Sequence, residues 1–224
     1  MKYLSLIIST FFLLACNSEQ QAQSKLQPSE FTVEPASISA SEAEKLDTAT
    51  FAAGCFWCVE AVFERVKGVK SVVSGYAGGN QPNPTYQEVA AGKTDYAETV
   101  QIYYNPEEVN YQQLLEIFFA THDPTQLNRQ GPDVGKQYRT EIFYHDARQQ
   151  ELAQEYMQQL SESGKYEDEI VTRLSPLDEF YVAEDYHQNY YENNPNDRYI
   201  VNIAVPKIKK FKKNFPDMLK EEVS

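Results

Sequence analysis

The chain has 224 residues, 42% of them hydrophobic and 24% charged, which is ordinary globular composition and excludes disordered and collagen-like classes. It carries 20 Lys and Arg against 33 Asp and Glu, a formal net charge of −13, so neither nucleic acid nor anionic lipid is expected as the main partner, since both call for a positive face. Three cysteines are too few for a disulfide scaffold and have to be read one by one.

Residues 1–15, MKYLSLIISTFFLLA, join an early cation, Lys2, to an apolar run that falls short of the roughly 20 residues needed to span a bilayer. Length and flanks read as a secretory signal peptide. Leu13-Leu14-Ala15-Cys16 resembles the bacterial lipobox, which makes Cys16 the expected lipidation site; an ordinary signal peptide with an incidental cysteine is the plain alternative. Residues 16–47 are rich in Ser, Gln, Glu, Ala and Pro without a sustained apolar period, a composition that cannot offset chain entropy by burial. They read as a tether for a domain spanning residues 48–215, with 216–224 as a tail.

Within the domain, residues 49–53 read as a strand broken at Gly54. Phe56, Val59, Val62, Phe63 and Val66 then fall at helical spacing, ending at Gly68. Residues 69–76 and 99–104 read as strands, separated by the loop GGNQPNPT and a short helix over 86–91. Asn110 is a plausible N-cap for a helix with Leu114, Leu115, Phe118 and Phe119 on one face. A long loop over 122–137 is of a length often reserved for function. A strand over 138–145, a helix capped by Asp146 and ended at Gly164, a strand over 169–174 and a short helix or turn over 183–191 follow. Strands and helices mix without regular alternation, which predicts an α+β fold with helices flanking one mixed sheet. Near the C-terminus Ile208, Phe211 and Phe215 interleave with Lys207, Lys209, Lys210, Lys212 and Lys213. A membrane-binding helix is one reading; the short apolar stripe favours an amphipathic helix docked on an acidic body.

The chemistry is expected at AAGCFWCVE. Cys55 stands at a strand-to-helix junction, where free N–H groups and the helix dipole favour a thiolate. Cys58, one turn on, is placed to attack whatever becomes attached to the sulfur of Cys55. Zinc needs four ligands, and there is no second cysteine pair to join the isolated His122, His145 and His187. A structural disulfide closing so short a loop adds little. Redox or nucleophilic thiol chemistry is the stronger reading.

GCFWCVE resembles the active-site motif of the type A peptide-methionine sulfoxide reductases, and GYAGGNQPNPTYQEV, YAETVQIYYNP, THDPTQLNRQGPDVGKQYRTEIFY and FYVAEDYHQNYYENNP match further family blocks in order, over roughly residues 50–206. The resemblance implies the family's two-layer α+β sandwich around a mixed sheet. It implies Cys55 as the nucleophile, Glu98 as the acid kept protonated by an apolar pocket, and Tyr86 and Tyr138 as hydrogen-bond donors to the sulfoxide oxygen. Phe56 and Trp57 would form the apolar pocket for the ε-methyl group, with Asp133 and Tyr190 lining the site. Cys55 would pass through a sulfenic acid to a Cys55–Cys58 disulfide, recycled by an external thioredoxin-like dithiol with no bound cofactor. The implied substrates are protein-bound and free methionine (S)-sulfoxide, and the family suggests a monomer.

The sequence departs from the family pattern in two places. Many members carry Gly where Cys58 stands and recycle through tail cysteines, whereas NPNDRYIVNIAVP has none. Asp95 and Tyr96 stand where relatives commonly have Gly and His. Two other classes compete. A thioredoxin-like disulfide oxidoreductase would also place a C-x-x-C after a strand, but without the Glu98 and Tyr86 surroundings. A surface lipoprotein with an inert cysteine pair would resist thiol labelling. Export to a bacterial envelope, anchored through Cys16, raises the further expectation of a membrane-linked dithiol donor, because that compartment is oxidising.

Overall fold

The computed structural model describes residues 44–221. Cys16 and the segments preceding residue 44 lie outside the described residues. Eight strands, β1 (Asp47–Ala53), β2 (Val69–Ala77), β3 (Ala97–Tyr104), β4 (Arg129–Gln130), β5 (Asp133–Val134), β6 (Thr140–Tyr144), β7 (Arg173–Pro176) and β8 (Phe180–Val182), alternate irregularly with helices α1 (Phe56–Phe63), α2 (Tyr86–Ala90), α3 (Tyr111–Thr121), α4 (Ala147–Glu162), α5 (Tyr190–Asn193) and α6 (Val205–Asn214). Six strands form one sheet in the order β7-β6-β1-β3-β2-β8, and β4 and β5 form a separate hairpin. All neighbours in the main sheet are antiparallel except β6 and β7. The fold is α+β with a mixed sheet, as the sequence predicts.

The period of two in β1 divides the molecule into its layers. Ala49, Phe51 and Ala53 face the main core with Val62, Phe63, Leu114, Leu115 and Phe118 from the helices. Phe51 is its hub, with ring centroids 4.9 Å from Phe118, 5.7 Å from Phe63 and 5.9 Å from Tyr111. The opposite face of the sheet has only a thin apolar cover, where Ala52, Ala77, Ala97 and Phe143 meet Leu177 and Phe180. The rest of that face is polar: His145 Nε2 meets Thr50 Oγ1 at 2.8 Å, and a buried Arg139–Glu141 ion pair is joined by Ser175.

The helix signals in the sequence act locally. Asn110 and Gln113 exchange backbone-to-side-chain bonds at 2.9 and 3.0 Å, a full capping box for α3. Asp146 accepts from Gln149 N at 2.8 Å to cap α4. α6 buries Ile208 and Phe211 and packs on α1 and α3, so the apolar stripe of the lysine-rich helix is spent on the domain itself. The strand expected over 169–174 is displaced. Regular pairing begins at Arg173, where the chain runs parallel to Glu141–Tyr144, and Val171 N instead bonds Pro124 O at 2.9 Å. β8 is an edge strand of three residues, too short to show a period.

Between Ile200 and Ala204 the helix widens to a π turn that runs directly into α6. Pro206 stands in the first turn of α6 and has no N–H for the preceding turn, which accounts for the break in the regular ladder.

Candidate active site

The site starts where β1 ends. Gly54 turns the chain at φ 86°, and a Cβ there would fall 2.6 Å from Gln130 Cβ, so glycine serves both the left-handed backbone and the close approach. The turn sets Cys55 as the N-cap of α1, with Cys58 N bonding back to Cys55 O at 3.1 Å. Both cysteines are free thiols and both are buried.

β3 supplies the acid. Glu98 lies opposite Tyr76 of β2 on the strand face that carries Val100 and Ile102 into the core, a carboxyl in an otherwise apolar row. Its Oε2 accepts from Phe56 N at 3.1 Å, taking a free N–H at the start of α1. Burial outweighs that bond and pushes Glu98 up to about 8, so the group is protonated at neutral pH. The same arrangement corrects the expectation of a helix-stabilised Cys55 thiolate. Burial, the hydrogen bond with Cys58 and the Glu98 charge hold Cys55 well above the ordinary thiol range; the helix N-terminus is occupied by the carboxyl, not the sulfur. Cys58 moves the other way. The hydrogen bond with Cys55 brings it down to about 7 against its own burial, with Lys207 and Tyr199 assisting. The two thiols titrate as a pair, so the first proton to leave belongs to both.

Two phenols complete the polar side. Tyr86 opens α2, its N–H held by Glu184 Oε1 at 2.9 Å, and burial with the nearby Glu98 and Cys55 charges pushes its hydroxyl up to about 12. Tyr138 lies in a 3-10 turn, Lys136–Tyr138, ahead of the strand in which it was expected. Burial, Glu98 and Cys55 raise it too. Both phenols therefore stay protonated donors facing the same two groups. Arg139 fixes that turn through Asp95 O at 2.9 Å and Lys136 O at 3.1 Å, and Lys136 also reaches Asp95 at 2.6 Å. Tyr96, the second departure from the family pattern, is buried, and its hydroxyl donates to Gln81 O at 2.6 Å.

The apolar side is aromatic. Phe56 is buried, stacked on Tyr86 at 6.5 Å and 5.1 Å from the His187 ring. Trp57 is half-buried and fixed from two sides: its ring stacks on Tyr190 at 3.8 Å and 9°, and its Nε1 donates to His187 Nδ1 at 3.1 Å. The structure thus brings Cys55, Phe56, Trp57, Tyr86, Glu98 and Tyr138 together, with Tyr190 placed behind Trp57.

Two residues of this site were not singled out in the sequence. His187 orients Trp57. Tyr199 joins the remaining pieces: its hydroxyl donates to Asp133 Oδ2 and receives a long hydrogen bond from the Cys58 thiol at 4.0 Å. Burial raises Asp133 and the Tyr199 bond opposes that rise. Cys58 is enclosed by Ile200 and Ala204 of the π turn, while Lys207, on the same helical face as Ala204, adds a positive charge. With 16 tyrosines in the chain, only the long-range fold separates Tyr199 from the others.

A sequence profile described as "Peptide methionine sulfoxide reductase" matches residues 47–219. The chain belongs to that family. Among its relatives, the peptide methionine sulfoxide reductase MsrA of Natronomonas pharaonis is 55% identical over 170 residues, covering 76% of this chain and 96% of the relative. MsrA 1 of Rhodopirellula baltica is 53% identical over 174 residues, covering 78% and 90%. Of solved structures, reduced Mxr1 from Saccharomyces cerevisiae superposes with a TM-score of 0.63 at 34% identity, covering 69% of this chain and 88% of that one. Methionine sulfoxide reductase A of Corynebacterium diphtheriae gives 0.61 at 36%, covering 68% and 77%. The protein is an enzyme that reduces methionine sulfoxide, and the thiol pair beside a protonated Glu98 is the part of it suited to that chemistry.

Proposed function

We propose that the enzyme acts on the S epimer of peptide-bound and free methionine sulfoxide, with Cys55 as nucleophile and Cys58 as its resolving thiol. The observation that carries this reading is one cluster in which two buried thiols and a buried, protonated carboxyl meet two half-buried, protonated phenols. Phe56 and Trp57 receive the methyl group, while Tyr86, Tyr138 and Glu98 hydrogen-bond the sulfoxide oxygen. With one proton lost from the hydrogen-bonded thiol pair, the remaining one passes to Cys58 as the Cys55 sulfur attacks the substrate sulfur, and Glu98 protonates the oxygen. The oxygen passes to Cys55 as a sulfenic acid, the substrate sulfur gains two electrons and methionine leaves. Cys58 attacks the sulfenic sulfur, water departs and a Cys55–Cys58 disulfide forms. An external thioredoxin-like dithiol reduces the disulfide and returns both thiols.

The finer placement rests on the sequence. Residues 1–15 act as a lipoprotein signal peptide, Cys16 carries the lipid, and the tether holds a monomeric domain at a bacterial envelope membrane, where a membrane-linked dithiol donor supplies electrons. The test is the soluble domain with dithiothreitol and racemic N-acetyl methionine sulfoxide, followed by chiral separation. Loss of the S epimer alone, abolished by Cys55→Ser, is expected. Consumption of neither epimer, with the cysteine pair still exchanging with disulfides, would instead favour a disulfide oxidoreductase.

A further inference from the structure

The helix α2 that opens with Tyr86 has five residues, too few to hold a helix by local interactions alone. Where the Tyr86 hydroxyl stands therefore depends on what α2 is tied to. A side chain almost a hundred residues further on grips its first residue: Glu184 Oε1 accepts from Tyr86 N at 2.9 Å, while Oε2 accepts from the Tyr76 hydroxyl at 2.8 Å. The Tyr76 ring is fully buried, lies 6.0 Å from Phe56 and stands across the β2–β3 ladder from Glu98. One carboxyl thus ties the start of α2 to the floor of the pocket.

Glu184 is itself anchored. Ala183 N bonds Ser74 O at 2.9 Å. Gln188 accepts from Ser74 N and donates to Ser74 O and Ala183 O, each at 2.9 Å. The segment is pinned to β2 on both sides of Glu184, and His187 N closes the turn onto Glu184 O at 2.8 Å. Partial burial pushes the Glu184 carboxyl up, but the bonds from the N–H groups of Tyr86 and Glu184 and from the Tyr76 hydroxyl outweigh it and hold the group below the usual carboxylate range. It is an anion at neutral pH, in contrast to Glu98, and an ionised acceptor makes the stronger hydrogen bond.

We propose that Glu184 is a positioning residue for sulfoxide reduction: by holding Tyr86 N from a segment fixed on β2, it places the Tyr86 hydroxyl where it meets the sulfoxide oxygen. The inference rests on the reading of Tyr86 given above as a hydrogen-bond donor to that oxygen, and adds the group that sets its place. Both Glu184 oxygens are engaged by the protein, so it acts through Tyr86 and not on the substrate. A misplacement of about 1 Å can cost about 10²-fold in rate, yet a residue that works only through one hydroxyl costs no more than the loss of that hydroxyl.

The test is a double-mutant cycle on the rate of methionine formation in a single turnover by the pre-reduced enzyme with N-acetyl methionine sulfoxide. Tyr86→Phe, Tyr138→Phe and Glu184→Ala are each expected to slow it about tenfold, the scale of one hydrogen bond. Glu184→Gln, whose amide oxygen still accepts from Tyr86 N, is expected to stay within about threefold of wild type. In the Glu184→Ala background Tyr86→Phe should cost less than about twofold more, whereas Tyr138→Phe should still cost its full factor. Should Glu184→Ala fold poorly because the buried Tyr76 hydroxyl loses its acceptor, the same cycle runs in Tyr76→Phe, which has no hydroxyl to orphan. A wild-type rate in Glu184→Ala, or a full tenfold cost of Tyr86→Phe on top of it, overturns the proposal. So does equal coupling of Glu184 to both tyrosines, which marks a general loosening of the pocket. Tyr86→Phe at the wild-type rate would instead remove the underlying reading of Tyr86, and the proposal with it.

Discussion

The two walls of the pocket are built differently. Cys55, Phe56, Trp57 and Glu98 stand on one regular unit, the β1–α1 junction and the adjacent β3, tied by the bond from Phe56 N to Glu98. Asp133, Tyr138, His187 and Tyr199 come from a hairpin, two 3-10 turns and the residue ahead of a π turn, and long-range bonds hold them. The regular wall carries Cys55 and Glu98, the proposed nucleophile and its proposed acid. The irregular wall adjusts Trp57 and Cys58. On the proposed mechanism, bond making at Cys55 relies on the geometry of packed elements, whereas resolving and recognition draw on irregular segments.

If this division holds, damage to the first wall costs more than damage to the second. Glu98→Gln keeps the shape and the bond from Phe56 N but removes the proton, so kcat is expected to fall by about 10²–10⁴. In the wild type, activity that requires the protonated acid declines as pH rises through about 8. The variant should lose that alkaline limb, which a pH–rate profile checks. Tyr199→Phe acts on the other wall. It strips Asp133 and the thiol pair of a hydrogen bond that lowers all three groups. Stopped-flow measurement should show disulfide formation about tenfold slower, shifted to higher pH, with the alkaline limb set by Glu98 retained in the overall rate.

A smaller effect concerns stability. Glu60 of α1 is buried, and burial followed by the Glu64 charge pushes it up to about 8, against about 4.3 in an unfolded chain. Its stabilising share is fully present below the unfolded value and is lost as pH rises toward the folded one. Glu60→Gln is therefore expected to raise the melting temperature at pH 8 relative to wild type, by about 2–4 °C for each kcal/mol recovered, and to change little at pH 4. Calorimetry at the two pH values decides it. Least of all is expected from Asp95→Asn, which breaks an exposed pair with Lys136 and should leave the melting temperature within about 2 °C and kcat unchanged.

What was legible in the sequence follows the same division. Residues 49–53, the helix after Cys55 and the caps at Asn110 and Asp146 could be read because each is written in neighbouring residues. The short edge strand β8, the late start of β7 and the π turn could not, because pairing partners and Pro206 decide them rather than local pattern. In the site, the C-x-x-C spacing singled out Cys55 and Cys58, whereas Glu98, Tyr86, Tyr138, Asp133 and Tyr190 stood out only through the family resemblance. Tyr199 and His187 carry no local signal; each acts through a contact more than a hundred residues away. The dipole argument for Cys55 misjudged direction because the sequence does not show that Glu98 occupies the helix N-terminus and that the sulfur is buried.

The most direct test of the account is a single-turnover experiment without any external thiol. The pre-reduced domain is mixed with excess methionine (S)-sulfoxide, methionine is counted per enzyme and the cysteines are mapped by mass spectrometry. The account predicts one methionine and a Cys55–Cys58 disulfide for the wild type, one methionine and a trappable sulfenic acid on Cys55 for Cys58→Ser, and no methionine for Cys55→Ser. Methionine formed by Cys55→Ser, or a sulfenic acid found on Cys58, would contradict it.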